Sequence, residues 1–391
     1  MAARRHAAPP LECSGLKPGA CGRPATGMTD RRPERLGALL RRLAGEGLDA
    51  LLVSHPPNIR YLTGFSGSAG LLLVSPAGVV FLTDFRYETQ SREEIGRLAR
   101  IEIDGTSLWD RLFKVLPEYP AVRAIGFESH ALTVRDADRL GAEAARSWRF
   151  AATADLVESL RVSKSPEEVE AIREAGDVAS AALAQTLPGV HVGQTEQEVA
   201  ALLESALRRG GSEGYPFPTI VASGARTALP HAGTSARVLA PGDFLLLDFG
   251  AIVDGYSSDV TRTFVVGARP AERQVEVHRV VLDAQQAALD ALRAGLTGRQ
   301  ADALARDVIA EAGHGAGFGH SLGHGVGLEV HEAPRLARTA EQVLPAGAVV
   351  TVEPGVYYSD WGGVRIEDDV LLSPEGATLL TQFPRDLLVL G

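Results

Sequence analysis

The first part of the chain contains two patterns of apolar residues, one typical of helices and one typical of strands. Residues 32–47 place apolar side chains at helical spacing and end at Gly45 and Gly47, which predicts a helix that stops there. Short apolar runs bounded by turn residues are typical of strands. We therefore predict strands at 48–55, 70–76, 78–87 and 124–129, and a second helix near 133–146. Helices interspersed with strands indicate an α/β layer.

Longer helices begin after about residue 156. Ser165 and Pro166, followed by two glutamates, form a helix start, and we place a domain boundary at 156–166. The helices predicted beyond it run to about 186, over 195–211 after a capping box, and near 271–293 and 299–312. We therefore predict an N-terminal α/β domain at 28–155 and a C-terminal α+β domain at 156–391.

Composition indicates a soluble globular protein. The 391 residues suffice for two domains with ample core, and no apolar run approaches the roughly 20 residues that a membrane span needs. The net charge of −10, without a basic stripe, argues against nucleic acid as a partner. The two cysteines, Cys13 and Cys21, exclude a disulfide framework, so we expect a cytoplasmic protein.

Residues 1–27 differ in composition from everything that follows. They are rich in Ala, Pro and Gly and lack hydrophobic periodicity. They also lack the apolar core of roughly 7–15 residues that a secretory signal needs. We expect a disordered extension there, without a function of its own.

Four carboxylates and one imidazole in the last third of the chain predict a two-metal hydrolytic site. They occur in the segments LLLDFG, SSDVTRT, HSLGHGVGLEVHE, VTVEPGVY and GGVRIEDD, and they are Asp248, Asp259, His324, Glu353 and Glu367. Converging carboxylates repel one another strongly unless cations lie between them. Two divalent ions would balance the four negative charges.

The first two of these carboxylates lie on a predicted β-hairpin. Two apolar strands within 243–267 are joined through the turn residues Asp254 and Gly255. Asp248 and Asp259 are 11 residues apart and can face each other across such a hairpin. An aspartate inside an apolar strand is costly to bury unpaired, which favours a ligand role over a structural one.

Three histidines, His320, His324 and His331, lie in one glycine-rich run. Glycines allow a backbone to approach an occluded site closely, and imidazoles are common ligands and proton carriers in such sites. The glycines also disfavour a helix, so each histidine can point separately. This concentration favours a functional role over three unrelated structural histidines.

The last two carboxylates lie on β-rich segments. Pro354 and Gly355 end the strand that carries Glu353. Arg365 and Glu367 alternate along the next segment and therefore share a face, where Arg365 can hold a carboxylate.

The sequence gives weaker evidence for the roles of three further polar residues. We interpret Asp368 and Asp369 as structural, because Asp368 points away from the face of Glu367. His231 lies in the loop segment ALPHAG, a placement suited to contact with substrate.

With these residues in view, the chain resembles the pita-bread metallopeptidases of the Xaa-Pro branch, aminopeptidase P and prolidase. The likeness covers 28–391 in arrangement and about 156–391 in motif detail, since all five ligand types occur in the family's order. It implies a creatinase-like N-terminal domain followed by a pita-bread catalytic domain. It also implies a homodimer.

The resemblance implies two divalent metal ions. The residues implied for one ion are Asp248, Asp259 and Glu367, and those for the other are Asp259, His324, Glu353 and Glu367. This oxygen-rich set favours Mn²⁺, although Co²⁺ or Zn²⁺ could occupy it.

The resemblance also implies roles in cleaving the bond before proline. Glu353 would shuttle a proton to the proline nitrogen, and His231 would stabilise the oxyanion. His331 would hydrogen-bond the substrate, and His320 would wall the proline pocket. Arg365 matches the family's orienting arginine.

The two activities of this branch differ in the length of the peptide that they cleave. The segment NIRYLTGFSGSAG at 58–70 resembles that of small bacterial aminopeptidases P, so we expect release of the N-terminal residue from peptides with proline second. The alternative is prolidase, which must clamp a dipeptide's carboxylate, with Arg335 or Arg60 as the candidate clamp.

Other members of the fold fit the sequence less well. Methionine aminopeptidase shares the metal set but usually lacks the N-terminal domain, and creatinase does not use the metals. A non-catalytic binding member would usually have lost ligands, whereas this chain retains all five.

Overall fold

The computed structural model describes residues 30–144 and 147–391. The predicted disordered extension at 1–27, with both cysteines, lies outside these residues. Within the described ranges, no helix combines the length and apolar character needed to cross a membrane.

The N-terminal domain is a six-stranded mixed sheet with helices on both faces. Its elements are α1 (Arg32–Gly45), β1 (Ala50–Val53), α2 (Pro56–Thr63), β2 (Leu71–Ser75), β3 (Gly78–Thr83), α3 (Glu88–Glu94), β4 (Arg100–Ile103), α4 (Leu108–Val115), β5 (Ala124–Glu128), α5 (Val134–Ala144), β6 (Arg149–Thr153) and α6 (Glu158–Arg161). The strand order is β4-β3-β2-β1-β5-β6. The short helix α6 leads from this sheet into the next domain.

Burial on both faces explains why the central strands are apolar throughout rather than alternating. Successive side chains of a strand point to opposite faces. Leu51 of β1 packs with Leu39 of α1 on one face, whereas Leu52 packs with Leu112 of α4 on the other. A sheet covered on both sides needs apolar residues at every position of its central strands.

The C-terminal domain contains longer helices and shorter sheets. Its elements are α7 (Pro166–Thr186), α8 (Glu196–Arg209), β7 (Ile220–Ser223), β8 (Phe244–Phe249), β9 (Ile252–Val253), β10 (Tyr256–Ser257), β11 (Val260–Val266), α9 (Glu272–Ala291), α10 (Gly298–Glu311), β12 (Gly323–Gly325), β13 (Glu332–Leu336), β14 (Val349–Val352), β15 (Gly355–Tyr358), β16 (Gly362–Arg365), β17 (Asp368–Leu372), β18 (Ala377–Leu379) and β19 (Val389–Leu390).

Two helix pairs each cover one sheet of this domain. Helices α7 and α8 pack on the sheet β19-β11-β8-β7, and α9 and α10 pack on the sheet β13-β12-β14-β17-β18. A backbone bridge between Thr261 and Glu367 joins the two sheets. The ends of strands from both sheets therefore meet, and this meeting point carries the polar residues.

The structure confirms the predicted fold class, an α/β domain followed by an α+β domain of pita-bread architecture. The capping box predicted at Thr195 is present, and Ser165 forms one at the start of α7. Helix α2 was not predicted. It spans eight residues and begins with Pro56 and Pro57, which suit a first helical turn but give no amphipathic repeat.

Candidate metal centre and substrate cavity

Pairing of β8 with β11 brings the first two carboxylates to one end of a ladder. Asp254 (φ 47°) and Gly255 (φ 75°) form the predicted two-residue turn, which requires positive φ at both central positions. In the resulting register Asp248 lies opposite Thr261, and Thr261 is two positions after Asp259 in the sequence. The two aspartates are thus diagonal neighbours rather than a directly facing pair.

Glycines beside the ligands permit close backbone approach. A Cβ added to Gly250 would lie 1.9 Å from the carbonyl oxygen of Ser258. One added to Gly323 would lie 2.0 Å from the carbonyl oxygen of Thr351. Larger residues at these positions would push apart the strands that carry Asp248 and His324.

The remaining ligands come from the second sheet and the bridge between the sheets. His324 is the central residue of β12, Glu353 follows β14, and Glu367 lies between β16 and β17. One ligand atom each of Asp259, His324 and Glu367 lies within 4.8 Å of the other two. Glu353 Oε1 is 3.4 Å from His324 Nε2. The cluster also includes Asp248, and it therefore brings together residues up to 119 positions apart in the sequence.

The carboxylates of this cluster oppose one another's ionisation. Burial, and then the charge of Glu367, raise the pKa of Asp259 well above its ordinary value. The same two causes raise the pKa of Glu353. Burial, and then the charge of Asp248, raise the pKa of Glu367 to about 8. Four carboxyl groups held this close are stable as anions only beside compensating cations.

Two carboxylate oxygens in the cluster are available to bind a cation. Oδ1 of Asp248 and Oδ1 of Asp259 are buried and have no hydrogen-bond partner among the described residues. Leaving a buried acceptor unsatisfied is costly, and carboxylate oxygens are preferred ligands of hard divalent ions. The donor set therefore fits divalent metal ions.

The Nε2 atom of His324 has a lone pair available to bind a metal ion. Burial lowers its pKa to about 4, so the ring is neutral near pH 7. Its Nδ1 lies 3.1 Å from the carbonyl oxygen of Gly325, which holds the ring proton on that nitrogen. The free Nε2 faces Asp259 at 3.7 Å and Glu353 at 3.4 Å.

Arg365 organises the other side of the cluster. Its Nη2 donates to Asp248 Oδ2 at 2.5 Å, and its Nε donates to Thr261 Oγ1 at 3.0 Å. Its Nη1 donates to the hydroxyl of Tyr357 at 2.9 Å, and that hydroxyl lies 2.9 Å from His320 Nε2. Burial raises the pKa of Tyr357 to about 12, so it remains a neutral phenol. The predicted arginine–carboxylate contact is therefore present.

A buried layer behind the ligands holds their backbone in place. Arg262 donates to Asp368 Oδ1 at 2.7 Å and to the carbonyl oxygen of Glu367 at 2.6 Å. Asp369 Oδ2 accepts the backbone N–H of Asp259 at 2.9 Å. Both Asp368 and Asp369 therefore support ligands through hydrogen bonds, as structural residues would.

A cavity of about 1470 Å³ opens over the cluster. All five candidate ligands line it. Apart from Arg60, so do the other residues for which we predicted a contact with substrate or a supporting role, namely His231, His320, His331, Arg335 and Arg365. An apolar wall that includes Phe217 and Ile220 stands beside them.

The two candidate carboxylate clamps lie in different places. Arg335 of β13 is directly opposite His324 of β12, so the two side chains share a face of the sheet. Arg60 does not line the cavity; it packs against Gly255, and its Nη2 is 3.9 Å from Glu213 Oε2. The position of Arg60 does not support its predicted role in substrate binding.

Three site residues were missed from the sequence. Thr261 donates to Glu367 Oε2 at 2.5 Å, and Thr351 donates to Glu353 Oε1 at 3.2 Å. Each threonine lies two positions from a ligand that directly flanks its strand, Asp259 before β11 and Glu353 after β14, and this period-two spacing could have identified it. Tyr357 had no such signal, because the hairpin of β15 with β16 brings it to Arg365.

Two family models match the chain. Residues 170–374 match metallopeptidase family M24, and residues 35–163 match the Creatinase/Prolidase N-terminal domain. These two matches account for the catalytic cavity and for the six-stranded sheet, respectively.

Relatives with similar sequences and structures cover both domains. An Xaa-Pro dipeptidase of Pyrococcus horikoshii is 36% identical, over 91% of this chain and 99% of the relative. The structure of an Xaa-Pro dipeptidase from Bacillus anthracis is similar with a TM-score of 0.88 and 40% identity, covering 92% of this chain and 100% of that one. That of an X-Pro aminopeptidase from Thermotoga maritima has a TM-score of 0.84 and 37% identity, covering 91% and 99%.

Proposed function

The chain belongs to metallopeptidase family M24, and we propose that it acts as an Xaa-Pro dipeptidase with two divalent metal ions. One observation carries the choice of dipeptides: Arg335 lies opposite His324 in the cavity, where it can bind the free carboxylate of a dipeptide. Relatives named Xaa-Pro dipeptidase support this alternative better than the aminopeptidase P activity that we expected from the sequence.

The ligands would divide between two ions as the resemblance implies. Asp248, Asp259 and Glu367 would hold one ion, and Asp259, His324, Glu353 and Glu367 would hold the other. When bound, the ions supply Lewis acidity that polarises the scissile carbonyl and lowers the pKa of the attacking water. Mn²⁺ is supported by the predominance of carboxylate oxygens.

Glu353 is the proposed proton carrier. A proline nitrogen in a peptide bond carries no hydrogen and must gain a proton to leave. Glu353 would take the proton of the attacking water and deliver it to that nitrogen. Thr351 donates to its Oε1, and its Oε2 lies 3.9 Å from His320 Nδ1 inside the cavity. The hydrogen bond from Thr351 helps to orient the carboxylate, which lines the cavity.

Two histidines at the cavity wall would bind the peptide. His331 packs against His324 with ring centroids 4.3 Å apart. Burial lowers its pKa, which favours a neutral ring that can donate one hydrogen bond. We assign His331 to the substrate near the scissile bond and His231 to the oxyanion.

Aminopeptidase P activity is the second candidate, and the size of the cavity favours it. Small-molecule sites are usually about 300–1,000 Å³. At about 1470 Å³, this cavity has space for a peptide longer than two residues. The similarity to the Thermotoga maritima X-Pro aminopeptidase supports the same candidate.

A comparison of substrate lengths separates the two activities. We expect the Mn²⁺-loaded protein to hydrolyse an Xaa-Pro dipeptide with a kcat/KM at least about tenfold above that for the matching Xaa-Pro-Xaa tripeptide, because only the dipeptide places a carboxylate beside Arg335. Release of free proline and of the N-terminal residue would be measured separately. Preference for the tripeptide would establish aminopeptidase P instead.

Replacing the proposed clamp tests the same assignment at one residue. We expect Arg335→Leu to raise KM for the dipeptide by about 10–100-fold, which corresponds to the loss of one charged hydrogen bond. Turnover of a tripeptide amide, which has no carboxylate, should change little. Arg338→Leu is a matched comparison, since Arg338 also lines the cavity. A loss confined to the Arg338 variant would assign the clamp to that arginine.

Assembly and location complete the proposal. We retain a homodimer, which the resemblance implies, and a cytoplasmic location, which the cysteine count suggests. Proline-containing peptides are the proposed partners, and the net charge of −10 argues against nucleic acid.

A further inference from the structure

Two histidines and a glutamate form a second cluster outside the peptidase cavity. His55 immediately precedes α2, His130 follows β5, and Glu158 is the first residue of α6. One ligand atom from each residue lies within 4.8 Å of the other two. None of the three lines the peptidase cavity. The segments that carry them are separate in sequence and meet only in the folded N-terminal domain.

One pair of ligand atoms in this cluster has the spacing expected around a small tetrahedral ion. His130 Nε2 lies 3.3 Å from Glu158 Oε1. Ligands about 2.0–2.1 Å from a tetrahedral zinc ion lie about 3.3 Å from each other. The rings of His55 and His130 meet edge to face with centroids 4.9 Å apart. Two neighbouring imidazoles and a carboxylate thus lie together.

One ring nitrogen of His55, Nδ1, is buried and has no hydrogen-bond partner among the described residues. The other ring nitrogen, Nε2, lies 3.4 Å from Glu329 Oε1. Metal-bound histidines almost always donate their second ring nitrogen to a carboxylate or carbonyl. His55 already has that arrangement, with Nδ1 left to bind an ion.

The other ligands are also held by neighbours. The side-chain amide of Asn58 donates to both Glu158 and Glu128. Glu128 Oε2 accepts the backbone N–H of His55 at 2.8 Å. This network orients His55 and Glu158 before any ion binds, which lowers the entropy lost on binding.

We propose that His55, His130 and Glu158 bind a zinc ion that is distinct from the metals of the peptidase centre. Nδ1 of His55, a ring nitrogen of His130 and a carboxylate oxygen of Glu158 supply three ligands, and water completes the tetrahedron. Two imidazoles and one carboxylate favour Zn²⁺ over Mn²⁺, the reverse of the oxygen-rich peptidase centre.

The position of the site gives the ion a structural role. Glu158 lies on α6, the linker into the catalytic domain, and His55 contacts Glu329 in the loop that leads to His331. Bound zinc would therefore fasten both the linker and this loop to the N-terminal sheet. An ion that binds only the folded state also stabilises it.

Zinc binding by the full-length protein saturated with Mn²⁺ tests the proposal. Zinc would be titrated at defined free concentrations and counted by metal analysis after gel filtration. We expect His130→Ala to bind about one zinc fewer per chain than wild type, with zinc affinity at this site at least about 100-fold weaker. Its Mn²⁺ content and its peptidase activity without added zinc should match those of wild type. His130 is exposed, so the substitution disturbs little packing.

Two further variants distinguish this cluster from zinc binding by surface histidines in general. His191→Ala removes an exposed histidine outside the cluster and should bind as much zinc as wild type. Glu329→Gln removes the partner of His55 and should weaken zinc binding by about 10–100-fold. Equal zinc binding by wild type and His130→Ala would overturn the proposal, as would an equal loss in His191→Ala. Because the measured quantity is the number of bound zinc ions, the result does not depend on whether the protein acts as a dipeptidase or as an aminopeptidase.

Discussion

Asp259→Asn is expected to lose bound metal and to lower kcat/KM by at least about 1000-fold. Asp259 is shared by both proposed ion sites and lies within 4.8 Å of ligand atoms on His324 and Glu367. Lewis-acid stabilisation by bound metal contributes several kcal/mol, and about 4 kcal/mol corresponds to that loss. Metal analysis and dipeptide hydrolysis would be measured on the same preparation.

The same variant should be at least as stable as wild type without metal. In the metal-free protein Asp259 faces the like charges of Glu367 and Asp248, and asparagine removes that repulsion. Thermal unfolding in the presence of chelator would show this. Asp290→Asn, an exposed residue of α9, is the matched control and should retain metal and activity. Full metal content with undiminished activity in Asp259→Asn would refute the metal-dependent mechanism.

Arg262→Met is expected to destabilise the protein by about 3–5 kcal/mol. The guanidinium is buried and donates to Asp368 and to the carbonyl oxygens of Thr261, Glu367 and Phe383, among others. Methionine would fill much of the space but leave the Asp368 charge without a counter-ion and remove one hydrogen-bond donor from each of these carbonyls. The free energy of unfolding would be measured by chemical denaturation with chelator present, so that metal loss does not contribute.

A second substitution identifies the cause of that destabilisation. Arg262→Met combined with Asp368→Leu should be less destabilised than the sum of the two single variants, because the uncompensated charge is gone. Arg269→Met replaces an exposed arginine near the end of β11 and should change stability by no more than about 0.5 kcal/mol. A small effect of Arg262→Met would mean that water replaces the guanidinium.

Elements with a strong repeat were predicted well from the sequence. The long helices α7 to α10 and the hairpin turn at Asp254 and Gly255 occur where we predicted them, because amphipathic spacing and turn chemistry are local properties. Helix α2 and strand β4 were not predicted. Both are short, and their conformation depends on packing against the rest of the N-terminal sheet.

Ligand types were also visible in the sequence, whereas their arrangement was not. A lone aspartate among leucines is conspicuous, so Asp248 could be chosen by its burial cost. Its diagonal relation to Asp259 followed from the strand register, and Tyr357 entered the site through a separate hairpin. Arg60 and Arg335 looked equivalent as clamps until the structure separated them.

The sequence by itself predicted the fold class, the candidate metal ligands and a metal-dependent hydrolytic chemistry. The α/β and α+β classes follow from hydrophobic period and turn residues, the candidate ligands follow from the charge of four carboxylates, and the peptidase class follows from the family resemblance. Only the tertiary structure decided which arginine reaches the cavity, that Arg262 and Asp369 support the ligands from behind, and that His55, His130 and Glu158 meet. The physical reason is that each of these depends on contacts between distant segments. Strand register and domain packing set such contacts, and neither leaves a local signal in the sequence.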